Sequence, residues 1–189
     1  LTGYARPAVE ILRSGPCTVF AAVNTLSTGR WRLYRSDDRG RTWQEVHAFP
    51  GSISSFHLSR DGRLLVVVPF ADPRRPDALP DGAWVSSDMG ATWSHTPFDG
   101  RTRGLIAWDV EEDAAGALCA GTEIWDHPQP YRAPYYRSLD RGATWQEVAG
   151  SLPWHVSRTQ AHPSAQLVYA LTEGAGLYAT EDQGGSWRR

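Results

Sequence analysis

The residues best equipped for chemistry fall in three groups. Asp109, Glu111, Glu112 and Asp113 crowd one short stretch. Two carboxylates facing each other across a cleft are the usual machinery for cleaving a glycosidic bond, one as acid, the other as base or nucleophile. Asp109 is the member placed closest to a strand interior, whereas the last three read more readily as a solvated acidic turn. Glu123 and Asp126 stand just ahead of Tyr131, Tyr135 and Tyr136, a combination in which a carboxylate could activate a phenol as nucleophile. The third group is larger: Arg74 and Arg75, Arg101 and Arg103, then Trp125, His127, Tyr131 and Arg132, then Trp154, His155 and Arg158. Guanidinium forks pair with carboxylates and other anions, and aromatic faces stack on sugar rings, so this group is suited to holding a glycan or an anionic small molecule. The bland reading of the same residues is that arginine pairs with nearby acids while the aromatics pack down Pro-rich loops.

Other chemistries find little support. The six histidines are scattered and none stands in a HExxH or Cys/His spacing, so no metal and no cofactor is expected. No Gly-rich phosphate loop follows a strand and no GxSxG elbow is present. Cys17 and Cys119 sit beside apolar residues and read as small buried hydrophobes, not as a disulfide. A formal charge of -2 argues against a nucleic-acid surface, and no apolar run approaches a membrane span. All basic residues are arginine, which reflects GC-rich coding more economically than anion recognition. No charged-then-apolar leader precedes the first repeat, so a signal peptide is expected to be removed or absent.

What must position these groups is a repeat. Ser36-Asp37-Asp38-Arg39-Gly40-Arg41-Thr42-Trp43 returns as Ser86 to Trp93, as Ser138 to Trp145, and as Thr180 to Trp187. Asp38, Asp88, Asp140 and Asp182 therefore recur at a spacing of roughly 40–50 residues, the length of one four-stranded propeller blade. Each position has a mechanical task in a tight hairpin. The aspartate accepts hydrogen bonds from amides of its own turn, Gly40, Gly90, Gly142 and Gly184 take positive φ, and the hydroxyl residues close the ends. The tryptophans, Trp43, Trp93, Trp145 and Trp187, are expected to cover the hairpin. Segments between the boxes read as strands: Ile53 to Ser59, Leu64 to Phe70 and Ala83 to Ser87 in the second unit, with Val19 to Val23, Ala117 to Ala120 and Leu167 to Leu171 as equivalent second strands. Leu33-Tyr34, Tyr135-Tyr136 and Leu177-Tyr178 are the equivalent third strands, which makes packing the likelier work of Tyr135 and Tyr136.

The motif resembles the Asp-box, or BNR, repeat of the sialidase-like and glycosidase-like propeller superfamily. The resemblance implies an all-β propeller of four-stranded antiparallel blades, four of them present over 1–189, at approximately 8–49, 50–98, 99–150 and 151–189. It also implies part of a larger or assembled propeller, since such rings generally close with six or more blades. In that superfamily the box is a folding device. Sialidases of the group use an arginine triad and a Tyr–Glu nucleophile, of which Tyr4-Ala5-Arg6-Pro7 and the tyrosines above give only distant counterparts; xyloglucan-active members use paired carboxylates, for which Asp109 stands as the candidate.

Blade connectivity sorts the remaining loops. Boxes and first-to-second turns share one face; second-to-third loops and blade-to-blade links share the other, where propellers of this resemblance bind ligands. Two second-to-third loops are long, Ala71 to Asp81 and Ile124 to Pro134, and long loops on a rigid scaffold concentrate function. The expected function is binding of a glycan, an anionic small molecule or a protein partner on that face. The alternatives are a glycoside hydrolase, and an assembly subunit that completes its ring by self-association. The resemblance favours a secreted or periplasmic location.

Overall fold

The computed structural model describes residues 9–14, 17–25, 30–49, 51, 53–62, 65–69, 80, 82–98, 105–124, 133–153 and 156–189. Among them every regular element is a strand. β1 (Val9–Ser14), β2 (Thr18–Thr25), β3 (Arg30–Ser36) and β4 (Gln44–Phe49) form the first antiparallel sheet in chain order. β5 (Ile53–Leu58), β6 (Leu65–Pro69), β7 (Ala83–Ser86) and β8 (Ser94–Thr96) form the second. β9 (Leu105–Glu112), β10 (Leu118–Ile124), β11 (Ala133–Ser138) and β12 (Gln146–Leu152) form the third. β13 (Val156–Ala161), β14 (Val168–Thr172) and β15 (Gly176–Thr180) form the fourth, to which an isolated bridge from Arg188 to Ala179 adds the start of an outer strand. The strands match the sequence reading with shifted ends, the largest shift being β10, which runs on to Ile124.

Each Asp-box is the hairpin between the third and fourth strand of its sheet. Arg39, Met89, Arg141 and Gln183 have φ of 59 to 64° and the glycine that follows each has φ of 86 to 92°. Two successive positive φ values are those of a primed hairpin turn, whose twist suits the flanking strands. The side chains then lock it. The Ser or Thr hydroxyl donates to the aspartate and accepts from the glycine amide, as in Ser86 Oγ to Asp88 Oδ1 at 2.8 Å and Gly90 N to Ser86 Oγ at 2.8 Å. The amide and hydroxyl of the later Thr or Ser both donate to the same carboxylate, at 2.8 and 2.5 Å for Thr92 and Asp88. The other three boxes repeat the pattern.

The tryptophans do more than cover their own hairpins. Trp93 packs on Phe49 and His47 of the first sheet, with ring centroids 5.2 and 5.4 Å apart. Trp145 packs edge-on to Phe98 at 5.0 Å, beside Val66 and Ala83 of the second sheet, and Trp187 edge-on to Tyr135 of the third at 4.9 Å. Trp43 and Trp93 also donate Nε1 to the glycine carbonyl of their own boxes, Gly40 and Gly90, at 3.0 Å, while Trp93, Trp145 and Trp187 each seal their blade to the preceding one. The turn residues do the same. Met89 packs into the first sheet's cluster, Arg141 pairs with Asp61 at 3.2 Å, and Gln183 Nε2 donates to Asp113 Oδ2 at 3.1 Å.

Candidate functional site

The inner strands β5, β9 and β13 lie side by side, with β9 between the other two. Each carries a register break against its second strand: between Ile53 and Ser55, opposite Gly121 and Thr122 where Ala107 gives way to Asp109, and between Val156 and Arg158. The extra residue, Ser54, Trp108 or Ser157, bulges the strand, and a bulge re-aims the side chain that follows. Ser55, Asp109 and Arg158 thereby occupy equivalent positions on three adjacent blades.

Asp109 joins them. Ser55 Oγ donates to its Oδ1 at 3.0 Å, the Val110 amide donates to the same oxygen at 3.0 Å, and the Thr159 amide of β13 donates to Oδ2 at 3.3 Å. Ser54 adds a hydroxyl bond to the Ala107 carbonyl. Burial raises the Asp109 carboxyl above its ordinary range, against the pull of these donors and of the Arg158 charge. Glu111 is raised too, first by burial and then by the neighbouring charge of Asp109. Glu112 is lowered, by the His57 ring, whose Nε2 stands 3.9 Å away, and by the Arg60 amide at 2.6 Å.

Toward the box face the inner strands are tied off. The Arg60 guanidinium donates to the carbonyls of Glu112 at 3.1 Å, His162 at 3.0 Å and Pro163 at 2.8 Å, so one side chain spans three blades. Asp113, expected to be solvated, is buried and accepts from the amides of Ala115 and Ala117 at 2.9 and 2.8 Å. It caps the turn, and Gln183 of the next box closes over it.

Of the residues singled out in the sequence, Asp109 and Arg158 lie together on this inner-strand row. Glu123 lies in β10, its backbone paired with Ile106 of β9. Tyr135 and Tyr136 are buried in the blade cores, where burial holds the Tyr135 phenol well above its ordinary range. Arg74, Arg75, Arg101, Arg103, Trp125, Asp126, His127, Tyr131, Arg132, Trp154 and His155 lie outside the described residues. The strand ends that flank them, Ile124 and Ala133, Leu152 and Val156, are the ends away from the boxes. Ser55, Thr159 and Arg60 were not singled out. Counted back from the last paired residue of each inner strand, Leu58, Glu112 and Ala161, the trio Ser55, Asp109 and Arg158 does align, and that is the signal that could have found it. Cys119 is buried and its thiol is pushed up to about 12 by that burial, whereas Cys17 is half-buried; both are free. Among the described residues no three His, Cys, Asp or Glu side chains cluster closely enough to hold a metal ion, and no helix is long and apolar enough to cross a membrane.

Stacked antiparallel sheets, three of them four-stranded, with a locked Asp-containing hairpin at the same corner of each define a β-propeller of Asp-box blades. The family model for the BNR-Asp box repeat matches residues 33–46. A xyloglucanase from Paenibacillus sp is 32% identical over 86% of this chain, which spans 18% of that protein. A GH74 xyloglucanase from Xanthomonas campestris superposes with a TM-score of 0.59 at 17% identity, over 90% of this chain and 28% of that one. Trypanosoma rangeli sialidase in complex with the inhibitor DANA superposes with a TM-score of 0.61 at 16% identity, over 95% of this chain and 37% of that one. These likenesses support an Asp-box (BNR) repeat β-propeller similar to the sialidase-like group.

Proposed function

We propose that the chain binds a neutral, glucan-type oligosaccharide on the face opposite the Asp-boxes, with Trp125 and Trp154 as stacking platforms and the arginines beside them as hydrogen-bond donors. The likeness to a xyloglucanase over most of the chain's length supports this reading, because it spans the strands whose ends carry both tryptophans. In it Asp109 is a positioning residue: both of its oxygens are engaged by Ser55, Val110 and Thr159, so it holds the inner strands in the register from which the loops depart. A polysaccharide ligand of this kind is met outside the cell, where we place the chain.

A hydrolase reading rests on one observation, the raised carboxyl of Asp109, since a carboxyl that keeps its proton can serve as general acid. Isothermal titration with xyloglucan oligosaccharides, set beside sialyllactose, tests binding; a reducing-end assay on the same sugars tests hydrolysis. Trp125→Ala or Trp154→Ala is expected to weaken xyloglucan binding about tenfold or more, on the scale of one lost stacking aromatic. No binding of xyloglucan, or tighter binding of sialyllactose, contradicts the reading. Turnover that is abolished in Asp109→Asn while binding persists makes Asp109 catalytic instead of positioning.

A further inference from the structure

The rung of β10 that lies beside the β9 bulge carries a glycine. Gly121 pairs with Asp109 on one side and with Tyr135 on the other. The same rung in the first and fourth blades holds residues with side chains, Ala22 between Glu10 and Leu33, and Leu171 between Arg158 and Leu177. In each of these blades the inner-strand partner of that rung is therefore the charged residue at this level of the inner strand, and only the rung opposite Asp109 is bare. Gly121 holds no positive φ, so the missing side chain answers to space and not to backbone conformation.

That space is filled by the following blade. A Cβ on Gly121 would stand 2.5 Å from Val156 Cγ1, 2.9 Å from Val156 Cβ and 3.2 Å from Thr159 Cγ2, all on β13. Val156 and Thr159 are buried, and Val156 packs on Leu152 and Ala170. Because the Val156 Cβ itself is too close, turning the valine side chain does not clear the clash, and the strand has to move in a tightly packed interior. The bond such a movement strains first is the one from the Thr159 amide to Asp109 Oδ2. At 3.3 Å it is longer than the two 3.0 Å bonds that Ser55 and Val110 give the other oxygen. Val156 also opens β13, directly after Trp154 and His155 in the chain.

We infer that Gly121 is a positioning residue of the site: its bare backbone admits β13 close enough for the Thr159 amide to engage Asp109, and it fixes the strand start that follows Trp154. A side chain at 121 would release Asp109 Oδ2 from β13 and leave the carboxyl held by the second and third blades alone. The inference rests on the glycan reading for the part that concerns Trp154. The part that concerns Asp109 and Thr159 stands on the geometry alone.

Amide hydrogen exchange and xyloglucan titration of Gly121→Ala in the 189-residue chain test the inference. The Thr159 amide is expected to exchange about fivefold to tenfold faster than in the parent, the factor that one hydrogen bond supplies. The Gln160 amide, which by strand alternation points toward β14, is expected to keep its parent rate. In the parent the Thr159 amide proton shift follows the titration of the Asp109 carboxyl, and in Gly121→Ala that dependence is expected to be lost. Xyloglucan affinity is expected to fall about tenfold, the loss expected of Trp154→Ala. In a Val156→Ala background, where the nearest methyl is gone, the glycine substitution is expected to do less; that background carries the test should Gly121→Ala alone fail to fold. A Thr159 amide as protected in the variant as in the parent overturns the inference. So does an effect of equal size in both backgrounds, or unchanged xyloglucan affinity in a variant whose Thr159 amide has been released. A parent chain that binds no xyloglucan contradicts the glycan reading alone, and the Thr159 amide then decides whether Gly121 positions Asp109.

Discussion

At the scale of single residues, carboxylates of one type do opposite things according to what surrounds them. The box aspartates are exposed or, at Asp38, half-buried, yet Asp38, Asp88 and Asp182 are lowered from 3.8 to about 2, because a hydroxyl and an amide of the same turn donate to the ionised form. Asp140 is lowered for the same reason. A carboxyl lowered on folding contributes stability above its unfolded value that is lost as pH falls through the folded one. The thermal midpoint is therefore expected to hold down to about pH 4 and to fall between there and about pH 2. Scans across that range check it, and a midpoint insensitive to acid contradicts it. Asp109 is raised, so its sign is reversed: between 3.8 and the folded value the native state holds the extra proton, and stability falls as pH rises. Asp109→Asn is expected to remove that downward slope. It should also cost about 1–3 kcal/mol, the scale of leaving buried donors poorly matched; denaturant melts of the variant at two pH values check both. The sequence made the box roles readable, since four copies of one motif can bear only one mechanical interpretation. It placed Asp109 near the inner strand but concealed its partners, because Ser55 and Thr159 are unremarkable residues brought in by bulges that no periodicity announces.

At the scale of elements, third-to-fourth hairpins and inner-to-second strand pairs were legible, because alternation and turn residues are local properties. The face on which each Trp would lie was not. A hairpin has two faces, and only the stacking of sheets decides which one is covered. The glycines report that stacking. All of them hold positive φ, so alanine costs about 1–2 kcal/mol at any box. At Gly142 and Gly184 the added methyl also collides with the preceding blade, whereas at Gly40 it meets only Trp43. Gly142→Ala and Gly184→Ala are expected to lower the thermal midpoint more than Gly40→Ala does. Equal losses at all of them contradict the stacking.

At the scale of the molecule, the fold concentrates polar clamps at the centre and apolar seals between blades. Asp109 in the middle of the inner strands and Arg60 at their box-face end each tie three blades. The box tryptophans tie each blade to the one before. That leaves the far ends of the strands free to carry long loops, which is where the proposed glycan site lies. The ligand itself was not legible in the sequence: the arginines and aromatics proposed for it belong to loops, and loops take their geometry from the scaffold and not from their own composition.

The central claim is that each Asp-box fastens its blade to the preceding one. Equilibrium unfolding of the Trp43→Ala, Trp93→Ala, Trp145→Ala and Trp187→Ala variants tests it most directly. Loss of about 3–5 kcal/mol is expected for Trp145, the most buried of the set, and smaller but clear losses for Trp93 and Trp187. Trp43→Ala is expected to cost least, about 0.5–1.5 kcal/mol, the scale of its single hydrogen bond to Gly40 O. A loss at Trp43 as large as at the other three would mean that seating on a preceding blade adds nothing and would contradict the account.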